Sequence, residues 1–206
     1  MRRIGDTAIA AVTVVALGAG VWLLGGASKT HAPPQPAAAE GRPEPGEERL
    51  ASPALEPSPP TRIRIPAIRV NAPLMGLALT RSGSLDVPPA EKKNLAGWYE
   101  AGTMPGETGT GIVAGHVDNT EGPAVFYNLG ALKRGAVIEV DRQDGSVAVF
   151  TVDAVEVYAA RNFPDEKVYG AAKRPELRVI TCGGGYSRAT GYQGNVVVFA
   201  HLTGGR

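Results

Sequence analysis

The stretch "GAVIEVDRQDGSVAVFTVDAVEVYA" (135–159) decides the fold class of this chain. Apolar and polar residues alternate along it on both sides of the dipeptide Asp144-Gly145. Alternation with a period of two is the pattern of a strand that buries one face. An Asp-Gly pair between two such segments favours a tight turn. The stretch therefore predicts an antiparallel β-hairpin.

Shorter strand-like runs lie on both sides of this hairpin. They are "TRIRIPAIRVNAPL" (61–74), "GSLDVPP" (83–89), "TGIVAGHV" (110–117), "LRVITC" (177–182) and "NVVVFAHL" (195–202). The chain has 206 residues with 27 glycines and 17 prolines, and it shows no long amphipathic helical pattern. Short strands joined by glycine-rich turns are typical of a β-barrel or a β-sandwich. Residues 61–206 are therefore predicted to form one all-β domain, large enough to bury its own core.

Residues 1–28 predict a transmembrane anchor. Arg2 and Arg3 precede an apolar run from Ala8 to Ala27, and about 20 apolar residues are enough to cross a bilayer. The positive flank favours a cytoplasmic N-terminus with the remaining chain outside the cell. A cleaved signal peptide is the alternative, because "GGA" (25–27) places small residues at the end of the run. In both cases the β domain is exported.

Residues 29–60 are rich in proline, alanine and glutamate and contain almost no aromatic or β-branched residue. A segment of this composition cannot bury a core, and its prolines favour an extended conformation. We therefore expect a disordered spacer between the membrane and the β domain. His31 lies in this spacer and is expected to be solvated.

Net charge and cysteine content exclude several function classes. A net charge of +1 lacks the basic excess expected of a nucleic-acid-binding protein. The single cysteine, Cys182, cannot form an internal disulfide framework or a multi-cysteine zinc site. No group of residues has the spacing of a metal site. The segment "GETGTG" (106–111) lacks the Lys-Ser/Thr pair of a phosphate-binding loop. We therefore expect no metal and no cofactor.

Cys182 and His116 form a candidate nucleophilic pair, because each follows a strand-like run and lies beside glycine. A nearby histidine is the group that most often removes the proton from a thiol. Gly183 begins a run of three glycines, where the backbone can approach a substrate closely. A small buried side chain is the commoner role of a lone cysteine. From the residues alone, the pair is a hypothesis.

Two charged residues near this pair are further candidates. Arg188, six residues after Cys182, is a candidate donor to a developing oxyanion, although a solvated loop arginine is the simpler interpretation. Asp118 is placed to orient the imidazole of His116 or to bind a basic group of a substrate, unless it only caps a turn. His201 near the C-terminus is expected to be exposed.

Several stretches together resemble the sortases, the cysteine transpeptidases of Gram-positive cell surfaces. They are "IRIPAIRVNAPL" (63–74), "LDVPP" (85–89), "AGWYEAGTMPGETGTGIVAGHVD" (96–118), "GPAVFYNLGALKRG" (122–135), "ITCGGGYSRATGY" (180–192) and "NVVVFA" (195–200). The resemblance covers Thr61 to the C-terminus and is closest to the actinobacterial class F sortases. It implies a closed barrel of about eight strands with short helices and turns. An N-terminal anchor and spacer are usual in this family.

The resemblance also implies an activity. Cys182 matches the family nucleophile, His116 the family histidine, and Thr181 the threonine that precedes the nucleophile. The thiolate is then expected to attack the Thr–Gly carbonyl of a Leu-Pro-x-Thr-Gly-like sorting signal in a surface protein. His116 is expected to protonate the leaving amine. An amino acceptor, such as a peptidoglycan precursor or a pilin, then takes the acyl group.

Two features depart from the family pattern. The nucleophile is usually preceded by Thr-Leu-x-Thr, whereas this chain has Arg178-Val179-Ile180-Thr181. Many sortases carry a catalytic arginine on the last strand, where this chain aligns Asn195. Arg188 is the nearest arginine after Cys182, and it is therefore assigned the oxyanion-stabilising role. Two alternatives remain open at this point. The first is a sortase-like barrel that binds or scaffolds with little chemistry, and the second is a hydrolase that releases the signal to water.

Overall fold

Ten strands and one short α-helix occur among the described residues, which are 32–41, 52–187, 189 and 191–206 of this computed structural model. The strands are β1 (Pro60–Ile65), β2 (Val70–Leu77), β3 (Ala96–Tyr99), β4 (Gly109–Gly115), β5 (Asp118–Asn119), β6 (Gly122–Pro123), β7 (Val137–Arg142), β8 (Val147–Ala159), β9 (Pro175–Ser187) and β10 (Gly191–Gly205). Helix α1 spans Asp165–Tyr169. Short 3-10 turns cover Ala38–Glu40, Pro66–Ile68, Leu129–Ala131 and Ala160–Asn162.

Eight of these strands close into a barrel in the order β1-β2-β3-β4-β9-β10-β8-β7, and β5 pairs with β6 in a separate two-stranded ribbon. Strand β2 pairs with β3 in parallel, as does β4 with β9. The other neighbours in the barrel are antiparallel. The closed eight-stranded barrel is confirmed, and the sandwich is excluded because the two ends of the sheet, β1 and β7, pair with each other.

The hairpin predicted at 135–159 is formed by β7 and β8, which pair in antiparallel register up to Asp141 and Val147. The turn between them places Gly145 at φ +84°, in the left-handed region that favours glycine. The backbone N–H of Arg142 donates to the carbonyl of Ser146 at 2.9 Å and closes the turn. The Asp-Gly signal in the sequence therefore located this turn correctly.

The alternation along the strands produces two apolar clusters. The larger one fills the barrel, and its bulkiest fully buried members are Phe126, Phe150, Ile63, Ile65, Leu129, Leu132 and Ile138. The smaller one lies outside this main core and consists of Ile112, Ala154, Val168, Ile180, Val197 and Phe199. Val168 belongs to α1, so the helix covers part of the outer face of β8, β9, β10 and β4. This outer cluster supports the candidate site described below.

The ordered structure begins earlier than the predicted boundary between spacer and domain at Pro60–Thr61. The N–H of Ser52 donates to the carbonyl of Leu202 at 3.1 Å, and the side chain of Leu55 packs against the barrel core. Further upstream, the carboxylate of Glu40 accepts a hydrogen bond from the Arg134 N–H at 2.8 Å. Composition missed these segments because they are held by backbone hydrogen bonds and single contacts to the barrel, and not by a core of their own.

Two further expectations have different outcomes. His201 was expected to be exposed, but it is only 3% exposed and its Nδ1 lies 2.8 Å from the Asp153 carboxylate. The reason is that β10 continues to Gly205 between β8 and β9, so His201 lies within the sheet. The predicted anchor at 1–28 lies outside the described residues. None of the helices in the described part of the chain has the length and apolar character needed to span a membrane.

Candidate active site

Strand register brings Cys182 and His116 together. Strands β4 and β9 run parallel, with Ala114 opposite Ile180. His116 follows the last residue of β4, Gly115, and Cys182 lies two residues beyond the last paired residue of β9, Ile180. The hydroxyl of Thr181 donates to the carbonyl of Gly115 at 2.8 Å and holds the two chain segments at this point.

The pair lies on the outer face of the barrel. Successive residues of a strand point to opposite faces, so Cys182 shares its face with Ile180, while Thr181 is buried on the inner side. On the other flank, Asn195 of β10 is the cross-strand partner of Cys182 and points to the same face. The Cys182 side chain is exposed. The nucleophile candidate is therefore accessible to a substrate.

His116 is held by the loop that precedes β3. Its Nε2 lies 2.6 Å from the carbonyl oxygen of Pro88. A carbonyl only accepts hydrogen bonds, so Nε2 carries the hydrogen in the neutral ring and Nδ1 is left as the proton acceptor. The Phe126 N–H donates to the His116 carbonyl at 3.0 Å and fixes the backbone. No pattern in the sequence identified Pro88 as the partner that sets the tautomer.

The side-chain contact of Asp118 in the structure is with Tyr192 and not with the imidazole of His116. Asp118 lies on β5, and its carboxylate accepts a hydrogen bond from the hydroxyl of Tyr192 on β10. Burial and this bond raise the pKa of Tyr192, so the phenol keeps its proton as a donor at neutral pH. The rings of Tyr192 and Tyr186 lie 5.1 Å apart. Neither tyrosine was singled out by the sequence.

The thiol of Cys182 is protonated in the resting protein. Partial burial removes water from the Cys182 thiol and raises its pKa, and the negative charge of Asp118 raises this pKa further. A raised pKa means that the thiolate fraction at pH 7 is smaller than that of an ordinary cysteine. Attack by this sulfur therefore needs a base, and His116 is the group in position to supply one.

We expect iodoacetamide to alkylate Cys182 more slowly at pH 7 than it alkylates a cysteine in an unstructured peptide, since the thiolate is the reactive form. The rate should rise with pH until the medium passes the raised thiol pKa. Asp118→Asn removes the nearby negative charge and should move this rise to lower pH. Glu121→Gln is the matched control, because Glu121 lies in the same ribbon but its side chain is 73% exposed. Alkylation followed by mass spectrometry from pH 6 to 10 measures this, and coincident profiles for parent and Asp118→Asn would contradict it.

The glycines after Cys182 adapt the backbone to the site. A Cβ on Gly183 would lie 2.6 Å from Cγ2 of Val196, so this position accepts no larger residue without a shift. Gly184 and Gly185 have φ values of +76° and +93°, where side chains are strained. The Gly184 N–H donates to the side-chain oxygen of Gln35 at 3.3 Å. The residues after the nucleophile thus depart from an extended strand.

A groove of about 530 Å³ extends along the outer face next to Cys182. Its lining includes Ile112 and Ala114 of β4, Ile180 of β9 and Asn195 of β10. Ile180 is two residues before Cys182 on the same face, and Asn195 pairs with Cys182 across the sheet, so the groove reaches two neighbours of the cysteine. The rest of its lining comes from the segment before β3, from Tyr99 and from α1, namely Leu79, Gly83, Ser84, Leu85, Asp86, Val87, Asp165 and Tyr169. This mostly apolar groove is suited to an extended peptide.

Four of the six site residues predicted from the sequence lie at or just beyond strand ends: Cys182 and Gly183 on β9, His116 directly after β4, and Asp118 on β5. Thr181 supports the end of β4 from the inner face. Arg188 lies outside the described residues. Its position therefore stays a prediction, as do the catalytic roles of the others.

Known proteins resemble this chain in sequence and in fold. The family model of the sortase domain matches residues 63–203. Sortase A from Listeria monocytogenes has a similar structure, with a TM-score of 0.54 and 17% identity over 73% of this chain and 90% of that chain. Sortase C-1 from Actinomyces oris gives a TM-score of 0.55 and 20% identity over 70% and 75% of the two chains.

A Clostridium perfringens sortase D5 transpeptidase gives a TM-score of 0.53 and 21% identity over 71% of this chain and 79% of that one. No curated protein matches the sequence. These structural likenesses describe the fold, and the family model covers most of the chain. The protein therefore belongs to the sortase family, whose members are cysteine transpeptidases.

Proposed function

We propose that this protein is a membrane-anchored sortase that cleaves a Leu-Pro-x-Thr-Gly-like sorting signal between threonine and glycine. The observation that carries the proposal is the position of Cys182, the chain's only cysteine. It is exposed on β9, and its strand neighbours Ile180 and Asn195 line the 530 Å³ groove. A cysteine transpeptidase requires one nucleophilic cysteine, and this chain offers no other.

The first half of the reaction forms a thioacyl enzyme. The Cys182 thiol gives its proton to Nδ1 of His116, and the sulfur electron pair attacks the threonine carbonyl carbon. The C–N bond to glycine breaks as the imidazolium returns the proton to the leaving amine. The apolar floor of the groove holds the leucine and proline of the signal. Such positioning increases the reaction rate because it holds the threonine carbonyl within reach of the sulfur.

The second half transfers the acyl group to an amine. The amine nitrogen attacks the thioester carbon and gives one proton to His116, the C–S bond breaks, and the electron pair returns to sulfur. We infer that the donor is a surface protein with a C-terminal sorting signal and that the acceptor is a peptidoglycan precursor or a pilin. Membership of the actinobacterial class F group belongs to this proposal. So does a single-pass location with a cytoplasmic N-terminus and an extracellular barrel.

The test uses the barrel domain with a Leu-Pro-Ala-Thr-Gly peptide and triglycine amide as the acceptor amine. Mass spectrometry should find the thioacyl adduct on Cys182 and the transfer product with the new amide bond. A product made only by water would favour the hydrolase alternative. A protein that binds the peptide without cleaving it would favour the scaffold alternative.

Arg188→Ala is expected to lower the cleavage rate by about 10²–10³, the scale of one lost oxyanion donor. Arg161→Ala is the matched control, because it removes an exposed arginine from a different part of the domain. Asn195→Ala is compared in parallel, since Asn195 pairs directly with Cys182. Parent-like cleavage by Arg188→Ala together with loss in Asn195→Ala would transfer the oxyanion role to the amide of Asn195.

A further inference from the structure

The surroundings of Cys182 differ on its two sides along β9. The apolar groove lies on the side that precedes Cys182, with Ile180 in its floor. On the side that follows Cys182 lie Tyr186 of β9, Tyr192 of β10 and Asp118 of β5. The groove is suited to the acyl donor, which leaves the second side without a ligand in the reaction proposed above.

This second side has a defined chemistry. Tyr186 and Tyr192 are cross-strand partners in the β9–β10 hairpin, with ring centroids 5.1 Å apart. Tyr186 is 61% exposed, an unusual amount for a large ring. The Tyr192 hydroxyl donates to the Asp118 carboxylate and holds this negative charge next to the two rings. A carboxylate beside two aromatic faces attracts an organic ammonium group by charge and by cation–π contact.

Asp118 also lies close enough to the sulfur for its charge to act on the thiol. In the resting protein this effect is unfavourable, because it opposes thiolate formation. Asp118 therefore does not activate the nucleophile, and its charge has another role. Once the sulfur is acylated, it no longer has a proton to lose. The Asp118 carboxylate then has no thiolate formation to oppose. Its charge is then available to a cation that approaches the thioester.

We propose that Asp118, Tyr186 and Tyr192 form the subsite that binds the ammonium group of the acyl acceptor. The inference rests on the proposed transpeptidase function and specifies where its second substrate enters. The bound ammonium releases one proton to solvent to become a nucleophile. As its nitrogen attacks the thioester carbon, it gives a second proton to neutral His116. The C–S bond breaks and the thiolate of Cys182 forms again beside the imidazolium.

The experiment separates this step from acylation by starting from preformed thioacyl enzyme, made with the Leu-Pro-Ala-Thr-Gly peptide. Its decay is followed at pH 7 against three nucleophiles. Triglycine amide and Nα-acetyllysine amide are cations at this pH, whereas hydroxylamine is mostly uncharged. Asp118→Asn is expected to raise the KM for both cationic amines about tenfold. The change in KM for hydroxylamine should stay within about twofold.

Two further variants sharpen the result. Tyr186→Ala removes the exposed ring and should raise the KM for the cationic amines in the same selective way. Glu121→Gln removes an exposed carboxylate from the β5–β6 ribbon and should leave all three nucleophiles as in the parent. Thermal unfolding of each variant establishes that the barrel is intact.

Each outcome decides one question. If the parent forms no thioacyl adduct on Cys182, the proposed function is wrong and this subsite fails with it. If acylation is normal but Asp118→Asn has the parent's KM for the cationic amines, the subsite alone is overturned. An equal loss toward hydroxylamine and the cationic amines would also overturn it, since it would assign Asp118 a structural role.

Discussion

Cys182→Ala should lower cleavage of the sorting-signal peptide by at least about 10⁴-fold and leave no thioacyl adduct. The physical reason is that the covalent route depends on the sulfur and no second cysteine is present to replace it. A nucleophile and its base act as a unit, so removing the nucleophile abolishes nearly all of the rate enhancement that the pair provides. The measurement is the peptide cleavage rate together with intact-protein mass spectrometry.

Loss of folding would give the same kinetic result, so it has to be excluded. Cys182 is exposed on the outer face, and surface substitutions usually change the free energy of unfolding by about 0.5 kcal/mol or less. Cys182→Ala is therefore expected to unfold at nearly the parent temperature and to bind the peptide still. Cleavage at the parent rate by this variant would refute the mechanism.

His116→Ala should lower the cleavage rate by about 10²–10⁴, the usual contribution of a general acid–base group. The loss should lie at the upper end of that range because the raised pKa of Cys182 makes the resting sulfur a weak nucleophile without a base. The same histidine is needed a second time, to protonate the leaving amine. The measurement is the peptide cleavage rate of the parent and the variant under the same conditions.

His116→Gln distinguishes chemistry from scaffolding. The glutamine amide is able to donate to the Pro88 carbonyl, the contact made by Nε2 in the parent, but it does not exchange protons. It should be as slow as alanine if His116 acts as an acid and base. A thioester substrate needs no proton on its leaving sulfur, so both variants should recover part of the lost rate with it. Full activity of His116→Gln on the peptide would show that the ring only supports the loop.

Local patterns predicted most of the strands and one turn. The run at 83–89 is an exception, because it forms no strand and only Leu85 makes an isolated bridge, to Leu79. The period-two alternation at 135–159 and the Asp144-Gly145 pair became β7, β8 and their turn. These features are encoded within a few residues, because the alternation decides which side of a strand is buried and glycine permits the turn. The choice between barrel and sandwich is different. It depends on whether β1 pairs with β7, which are far apart in the chain.

The same distinction applies to the site. The residue types of Cys182 and His116 and their places at strand ends were visible in the sequence, and the resemblance to sortases joined them. The parallel pairing of β4 with β9, which runs as far as Ala114 and Ile180, brings the ends of these two segments side by side. Tyr192 was missed because its meaning depends on a contact with Asp118 from a distant part of the chain. The burial of His201 was missed for a similar reason, since its position between β8 and β9 is a property of the closed sheet.

The sequence by itself determined an all-β domain, the candidate nucleophile and the candidate base, because residue type and short-range alternation carry that information. Only the tertiary structure decided which residues line the groove next to Ile180 and Asn195, and that Asp118 accepts a hydrogen bond from Tyr192. It also decided that residues 52–60 belong to the folded unit. Each of these depends on strand pairing between residues far apart in the chain, and the closed barrel fixes such pairings through registers that no local pattern contains.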